Sequence, residues 1–190
     1  MTRAISALVI LGLILGAFWL FYPRNEPSLP KVAQSNDRWN DFTAPQGKFR
    51  IMMPGLPHHA TETIEDNETH EKRLYDFFLA SKNDGTIYAV NTIAFPEKKG
   101  PYNEEFLRNF LQQMLTSNSM NKVKSMEVKP YHNHQALEFK VENAEVTIDG
   151  KAFFDDNTLY ILSTTARNDL HNSQEFENFT NSFELGAKGK

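Results

Sequence analysis

The chain has 190 residues, a net charge of −4, 15 phenylalanines and no cysteine. That length holds one domain of ordinary size plus a tail, and the acidic balance excludes a nucleic-acid binder, whose phosphate partners demand a basic footprint. Without cysteine there is no disulfide, thiolate nucleophile, Cys-bound zinc, iron–sulfur cluster or lipidated cysteine.

Residues 4–22, AISALVILGLILGAFWLFY, carry no charge. As a helix rising about 1.5 Å per residue they span about 28 Å, close to the thickness of a bilayer's hydrocarbon. Trp19 and Tyr22 stand at the C-terminal end, where amphipathic rings favour headgroups, and Pro23 and Arg24 end the run. A helix packed in a water-soluble core needs a polar face, and this one has none. A cleaved signal peptide is the competing reading, but its best cleavage position, after Ala17, has Leu15 where a small residue belongs. Residues 1–22 are therefore read as an uncleaved transmembrane anchor in contact with membrane lipid. Gly12-x-x-x-Gly16 offers a small-residue face through which two such helices can pair into a weak homodimer. Basic residues flank both ends (Arg3 before, Arg24, Lys31 and Arg38 after), so charge alone does not orient the helix. The large region following a short signal anchor sets the expectation of a single-pass cell-membrane protein with its domain on the extracytoplasmic side. Residues 23–37, with Pro23, Pro27 and Pro30, read as a stiff extended tether.

Residues 38–185 read as the folded domain, followed by a flexible tail, 186–190. Trp39 and Phe42 are expected core anchors. Residues 48–53 read as a strand that closes on Pro54, Gly55 and Pro57: proline cannot donate to a sheet ladder, and glycine lets the chain turn. Residues 67–80 are a second extended candidate. The turn SKNDG, 81–85, then joins them to a strand over 86–95 as an antiparallel hairpin.

After Pro96 and Pro101 comes the clearest helix, NEEFLRNFLQQMLTSNS. Phe106, Leu107, Phe110, Leu111, Met114 and Leu115 form one apolar stripe at helical spacing. Asn103 is the expected N-cap, Glu104 and Glu105 suit the positive end of the dipole, and Tyr102 is placed to staple onto Leu107. VKSMEVKPY and ALEFKVE follow as a strand pair around an HNH turn. Asp149-Gly150 is a hairpin signal, yet Val146, Ile148, Gly150, Ala152 and Phe154 keep one parity; a continuous strand with a bulge at Gly150 is the reading adopted. Residues 155–157 turn into a strand over 158–166. A closing helix puts Phe176, Phe179 and Phe183 on one face, with Asn172 and Glu175 as a capping box. Strands and helices in this order make an α+β domain: an antiparallel sheet flanked by helices.

The segment Trp39…Phe42…Pro45…GKFRIMMPGLP resembles the opening of the PsbP-like α/β/α sandwich family, through Gly47, Phe49, Ile51, Pro54, Gly55 and Pro57. KAFFDDNTLYIL is similar to that family's closing strand–turn–strand, and FENFTNSFEL, with Phe179, Ser182 and Phe183, resembles its terminal helix. The family includes the extrinsic photosystem subunit PsbP, Ran-binding Mog-type proteins and many bacterial proteins. The resemblance covers residues 38–185, its middle by element order, and implies a PsbP-like α/β/α sandwich and a protein-binding role. Where the family has a glycine-containing turn, this chain has YHNHQ.

Those residues are the candidate site. His132 and His134, two apart, face one side if extended and could hold a metal with a third ligand such as His70 or a nearby Glu. The competing reading is a polar turn with exposed imidazoles, and no metal or other cofactor is assigned. His58 and His59 complete the histidines weighed. Asp155 and Asp156 suit a turn better than paired acid–base work. The serines lie in no nucleophile elbow and no Gly-rich phosphate loop exists. The sequons at Asn67 and Asn178 matter only in a eukaryotic secretory route, and Phe179 reads as core. The expectation is a membrane-anchored, non-catalytic binding or assembly module of the cell envelope with an unidentified protein partner. The alternative is an envelope ligand- or metal-binding protein that uses the His132/His134 turn.

Overall fold

The computed structural model describes residues 38–65, 70–96 and 102–186. The anchor with Gly12 and Gly16, the tether, the sequon at Asn67 and the last four residues lie outside the described residues. Among the described residues no helix is long and apolar enough to cross a membrane.

Among the described residues ten strands and two α-helices follow in order: β1 (Trp39–Thr43), β2 (Phe49–Pro54), β3 (His58–Glu65), β4 (Lys72–Ser81), β5 (Ile87–Ala94), α1 (Glu104–Thr116), β6 (Lys122–Tyr131), β7 (His134–Glu142), β8 (Val146–Asp155), β9 (Thr158–Arg167), α2 (Ser173–Asn181) and β10 (Glu184–Leu185). Seven strands form an antiparallel sheet in the order β3-β4-β5-β9-β8-β7-β6. β1, β2 and β10 form a second, three-stranded sheet with β2 in the middle. The α+β expectation holds, and one outer layer is mixed: α1 packs on one face of the large sheet, while α2 and the small sheet share the other.

Each face has its own core. Leu107, Leu111, Met114 and Leu115 of α1 meet Tyr75, Phe77, Ile93, Phe139, Ile148, Leu159 and Ile161. Opposite, Phe49, Ile51 and Met53 of β2, with Phe179 and Phe183, meet Phe78, Tyr88, Val90, Phe153, Tyr160 and Leu162. β8 runs unbroken between the two, as its parity requires: Ile148 and Ala152 face α1 and Phe153 faces the small sheet. Gly150 is not a bulge. It pairs in register with Phe139 and Ser163. The ladder's irregularity lies instead between Val123 and Ser125 of β6.

Pro54 is the last residue of β2, paired with Trp39, and Gly55 turns the chain at φ +92°. The next segment, HHATETIE, is β3, a strand that no sequence signal announced because nearly every side chain on it is exposed. Trp39 and Phe42 are half-buried lids on the second core rather than its anchors. Phe106 and Phe110 likewise flank the buried stripe of α1. Asn103 caps α1 by accepting from the Phe106 N–H (2.9 Å). Tyr102 packs on Phe95, Phe106 and Phe154, with ring centroids 4.8–5.0 Å apart. Asn172 caps α2, accepting from the Gln174 and Glu175 N–H groups. Glu175's carboxylate does not complete the capping box; it accepts from Lys82 Nζ (3.1 Å) and the Tyr88 hydroxyl (2.6 Å), tying α2 to the β4–β5 hairpin.

Candidate functional site

β6 and β7 are joined by a two-residue turn, His132-Asn133, closed by the Tyr131–His134 pair. His132 sits at φ +50°, where histidine and asparagine are tolerated better than most residues and glycine is freest. The imidazole thus stands at a position a glycine turn would fill, as the departure from the family pattern suggested. Its ring is exposed and lies edge-on to Tyr131 (4.4 Å), whereas the His134 ring is half-buried against Phe153 (5.0 Å). The two rings therefore have different neighbours, because the turn breaks the extended geometry that would align them.

Among the described residues a third ligand is not at hand. His70 bonds Glu65 (2.9 Å) in the β3–β4 connection. That connection and the histidine turn belong to opposite edges of a seven-stranded sheet, about 25 Å apart at the usual strand spacing. Among the described residues no three His, Asp or Glu side chains converge as a metal site. Asp156 occupies the β8–β9 turn at φ +51°, a turn role as its sequence setting suggests.

A cleft of about 180 Å³ opens beside the turn, lined by Tyr102, Glu104, Leu107, His134, Gln135 and Phe154, among others. Replacing His132 with Asn is expected to leave stability within about 0.5 kcal/mol, since the ring is exposed and Asn accepts the backbone angle. His134→Asn removes a ring from Phe153 and should cost slightly more. Neither variant, nor the native protein, is expected to shift its denaturant midpoint on adding zinc or copper. A metal-dependent rise lost in the double variant would assign the turn as a metal site.

Two buried polar constellations were not legible as sites. Asp76, 5% exposed on β4, accepts from the Thr61 hydroxyl (2.6 Å), His59 Nε2 (3.1 Å) and Lys48 Nζ (3.1 Å). Burial alone would push this carboxyl up, but those hydrogen bonds and the Lys48 charge outweigh it and hold it below the usual range. Its stabilising contribution is thus full above about pH 5, where the unfolded carboxyl is also ionised, and is lost as pH falls through the lower folded value. Midpoints measured on the acid side should fall less steeply in Asp76→Asn than in the native chain; superimposable acid limbs would remove Asp76 from that role.

On the α2-covered side of β8, Asp149 Oδ2 meets His171 Nε2 at 2.5 Å, and Thr147 bonds Asn168 (2.8 Å). Buried Lys151 lies between Glu138 (3.5 Å) and Glu177 (3.6 Å), over the Tyr131 ring (4.7 Å). The alternation of Thr147, Asp149 and Lys151 with apolar neighbours was the available signal; His171, from the loop before α2, could not be paired with it by spacing. Among the described residues the His171 ring bonds Asp149 alone, so the pair lacks a bonded nucleophile of the kind a triad needs. It pins the 168–172 loop to the sheet.

No protein-family model matches the sequence. No curated protein matches it either. Among solved structures, the solution structure of cyanobacterial PsbP (CyanoP) from Synechocystis sp. PCC 6803 is similar over 84% of this chain and 99% of that one, with TM-score 0.53 and 11% identity. A protein of Bacteroides thetaiotaomicron VPI-5482 matches over 79% of this chain and 49% of its own, with TM-score 0.47 and 15% identity. The first likeness shows that this chain has a PsbP-like fold.

Proposed function

We propose that the chain is a membrane-anchored, non-catalytic binding or assembly module of the cell envelope, its domain on the extracytoplasmic side. The observation that carries the anchoring is the uncharged run of 19 residues, 4–22, ahead of the fold. Geometry supports recognition at the surface. Aromatic side chains close both faces of the large sheet. The cleft beside His134 holds about 180 Å³, below the roughly 300–1,000 Å³ of ordinary ligand pockets, which disfavours the ligand-binding alternative.

The two edges of the large sheet favour a protein partner. β6 carries Lys122, Lys124, Lys129, Pro130 and a register shift, all devices that discourage strand addition. β3 carries no lysine, proline or register shift over its eight residues, and all its side chains but Ile64 are exposed. Among the described residues it has β4 as its only neighbour, so it is the edge an extended partner segment would extend.

The full chain is expected to stay with native membranes through a high-pH wash and to retain residues 1–22. Release into the supernatant, or a mature form beginning after about residue 17, would overturn the anchoring.

A further inference from the structure

We propose that one end of the sandwich rests on the bilayer, through three apolar loop tips: Leu56, Met120 and Leu170. The inference builds on the anchoring reading and goes beyond it, because an anchor on a long tether does not by itself orient a domain.

The strand pairings define the two ends. His58 pairs with Leu79, Ser81 with Ile87, Ile87 with Thr165, Val146 with Arg167, Thr147 with Glu142, and Glu142 with Lys122. The connections 55–57, 82–86, 117–121, 143–145 and 168–172 therefore all emerge at one end. Four large apolar side chains are exposed among the described residues, and three of them lie on these connections: Leu56 at 87%, Met120 at 68% and Leu170 at 36%. The fourth, Leu74, sits on β4 toward the other end, paired with Thr63 and Ala94. The opposite end turns on His132-Asn133 and Asp156-Asn157. Leu56 precedes edge strand β3, Met120 precedes the other edge strand, β6, and Leu170 follows β9 near the middle, so the three tips span the width of the sheet like a footing.

The chain outside the structure says what the footing meets. β1 begins at Trp39, opposite Pro54, so residues 1–37 join the domain at this same end. The proline-containing segment between residue 22 and Trp39 reaches up to about 50 Å at about 3.1 Å per residue, long enough to leave any face free to turn to the membrane. Tethering raises the local concentration of domain and surface to roughly the millimolar range, so contacts too weak for a free domain suffice. Charges at this end are of both signs, and several of them pair with one another, Lys82 with Asp84, Lys124 with Glu142 and Arg167 with Asp169. The contact is therefore apolar insertion, and it does not require anionic lipid.

The chain lacks cysteine, so single cysteines can be labelled cleanly. The full chain would be placed in phosphatidylcholine vesicles with an environment-sensitive fluorophore on Leu56→Cys, Met120→Cys, Leu170→Cys or Asn133→Cys. The first three should shift to shorter emission wavelength and be quenched by lipid-borne nitroxide; the fourth should keep aqueous emission. Adding Leu56→Asn and Met120→Asn to the Leu170→Cys chain should abolish its quenching while the chain still floats with vesicles. Aqueous emission at all four positions, or equal quenching at Asn133, in a floating chain overturns this orientation and leaves the anchor standing. A chain that does not float overturns both.

Discussion

Phe49→Ala is expected to cost about 3–5 kcal/mol, read from the urea midpoint and slope. Phe49 is fully buried, and its ring centroid lies 5.2 Å from Phe78, 5.5 Å from Phe183, 6.2 Å from Phe42 and 6.4 Å from Tyr160. It belongs to β2, the middle strand of the small sheet, so its loss opens a cavity where that sheet meets the large one. Trp39→Ala and Phe110→Ala should cost less, about 1–3 kcal/mol, because both rings are half-buried although their sequence patterns mark them as core. A Phe49→Ala loss no greater than theirs would mean that the small sheet contributes little to holding the fold together.

Gly150→Ala is expected to cost about 1–3 kcal/mol, against the usual gain in strand propensity. A Cβ at this position would stand 2.0 Å from Phe139 Cζ and under 3 Å from both Cε atoms. Phe139 is 3% exposed within the core under α1, so its ring has little room to swing aside. Phe139→Leu should therefore cost less in the Gly150→Ala background than in the native chain, with a coupling of about 1 kcal/mol or more between the two sites. Additive effects would show that the ring does not depend on the missing Cβ. Gly150 is a site of close packing: the Asp-Gly dipeptide that signals a hairpin in the sequence lies in mid-strand because the facing ring needs the space.

The legible parts of the fold share one property: their signal lies within a few residues. The α1 stripe, the Asn103 and Asn172 caps, the Asp84-Gly85 turn at φ +87° and the parity of β8 all follow from neighbours close in the chain. β3 was missed because an exposed edge strand shows no apolar alternation; what defines it is its eight-residue register with β4. The candidate site was legible only as composition. His132 and His134 could be named, but their divergence around a turn, and the distance from His70, depend on strand order. The Asp149–His171 and Asp76–Lys48 pairs join residues 22 and 28 positions apart, beyond the reach of any spacing rule.

The sequence by itself thus determined the uncharged run ahead of the domain, the period of each helix and most strands, the turn chemistry and the acidic charge. Tertiary structure alone decided that β2 leaves the large sheet to form a second one, that the two sheet edges differ in protection, and that three apolar tips share the end where the chain arrives. The physical reason is that every strand offers the same backbone donors and acceptors to any neighbour. Which pairing wins is settled by the burial of both faces together, and here that means filling two aromatic cores on either side of β8 at once.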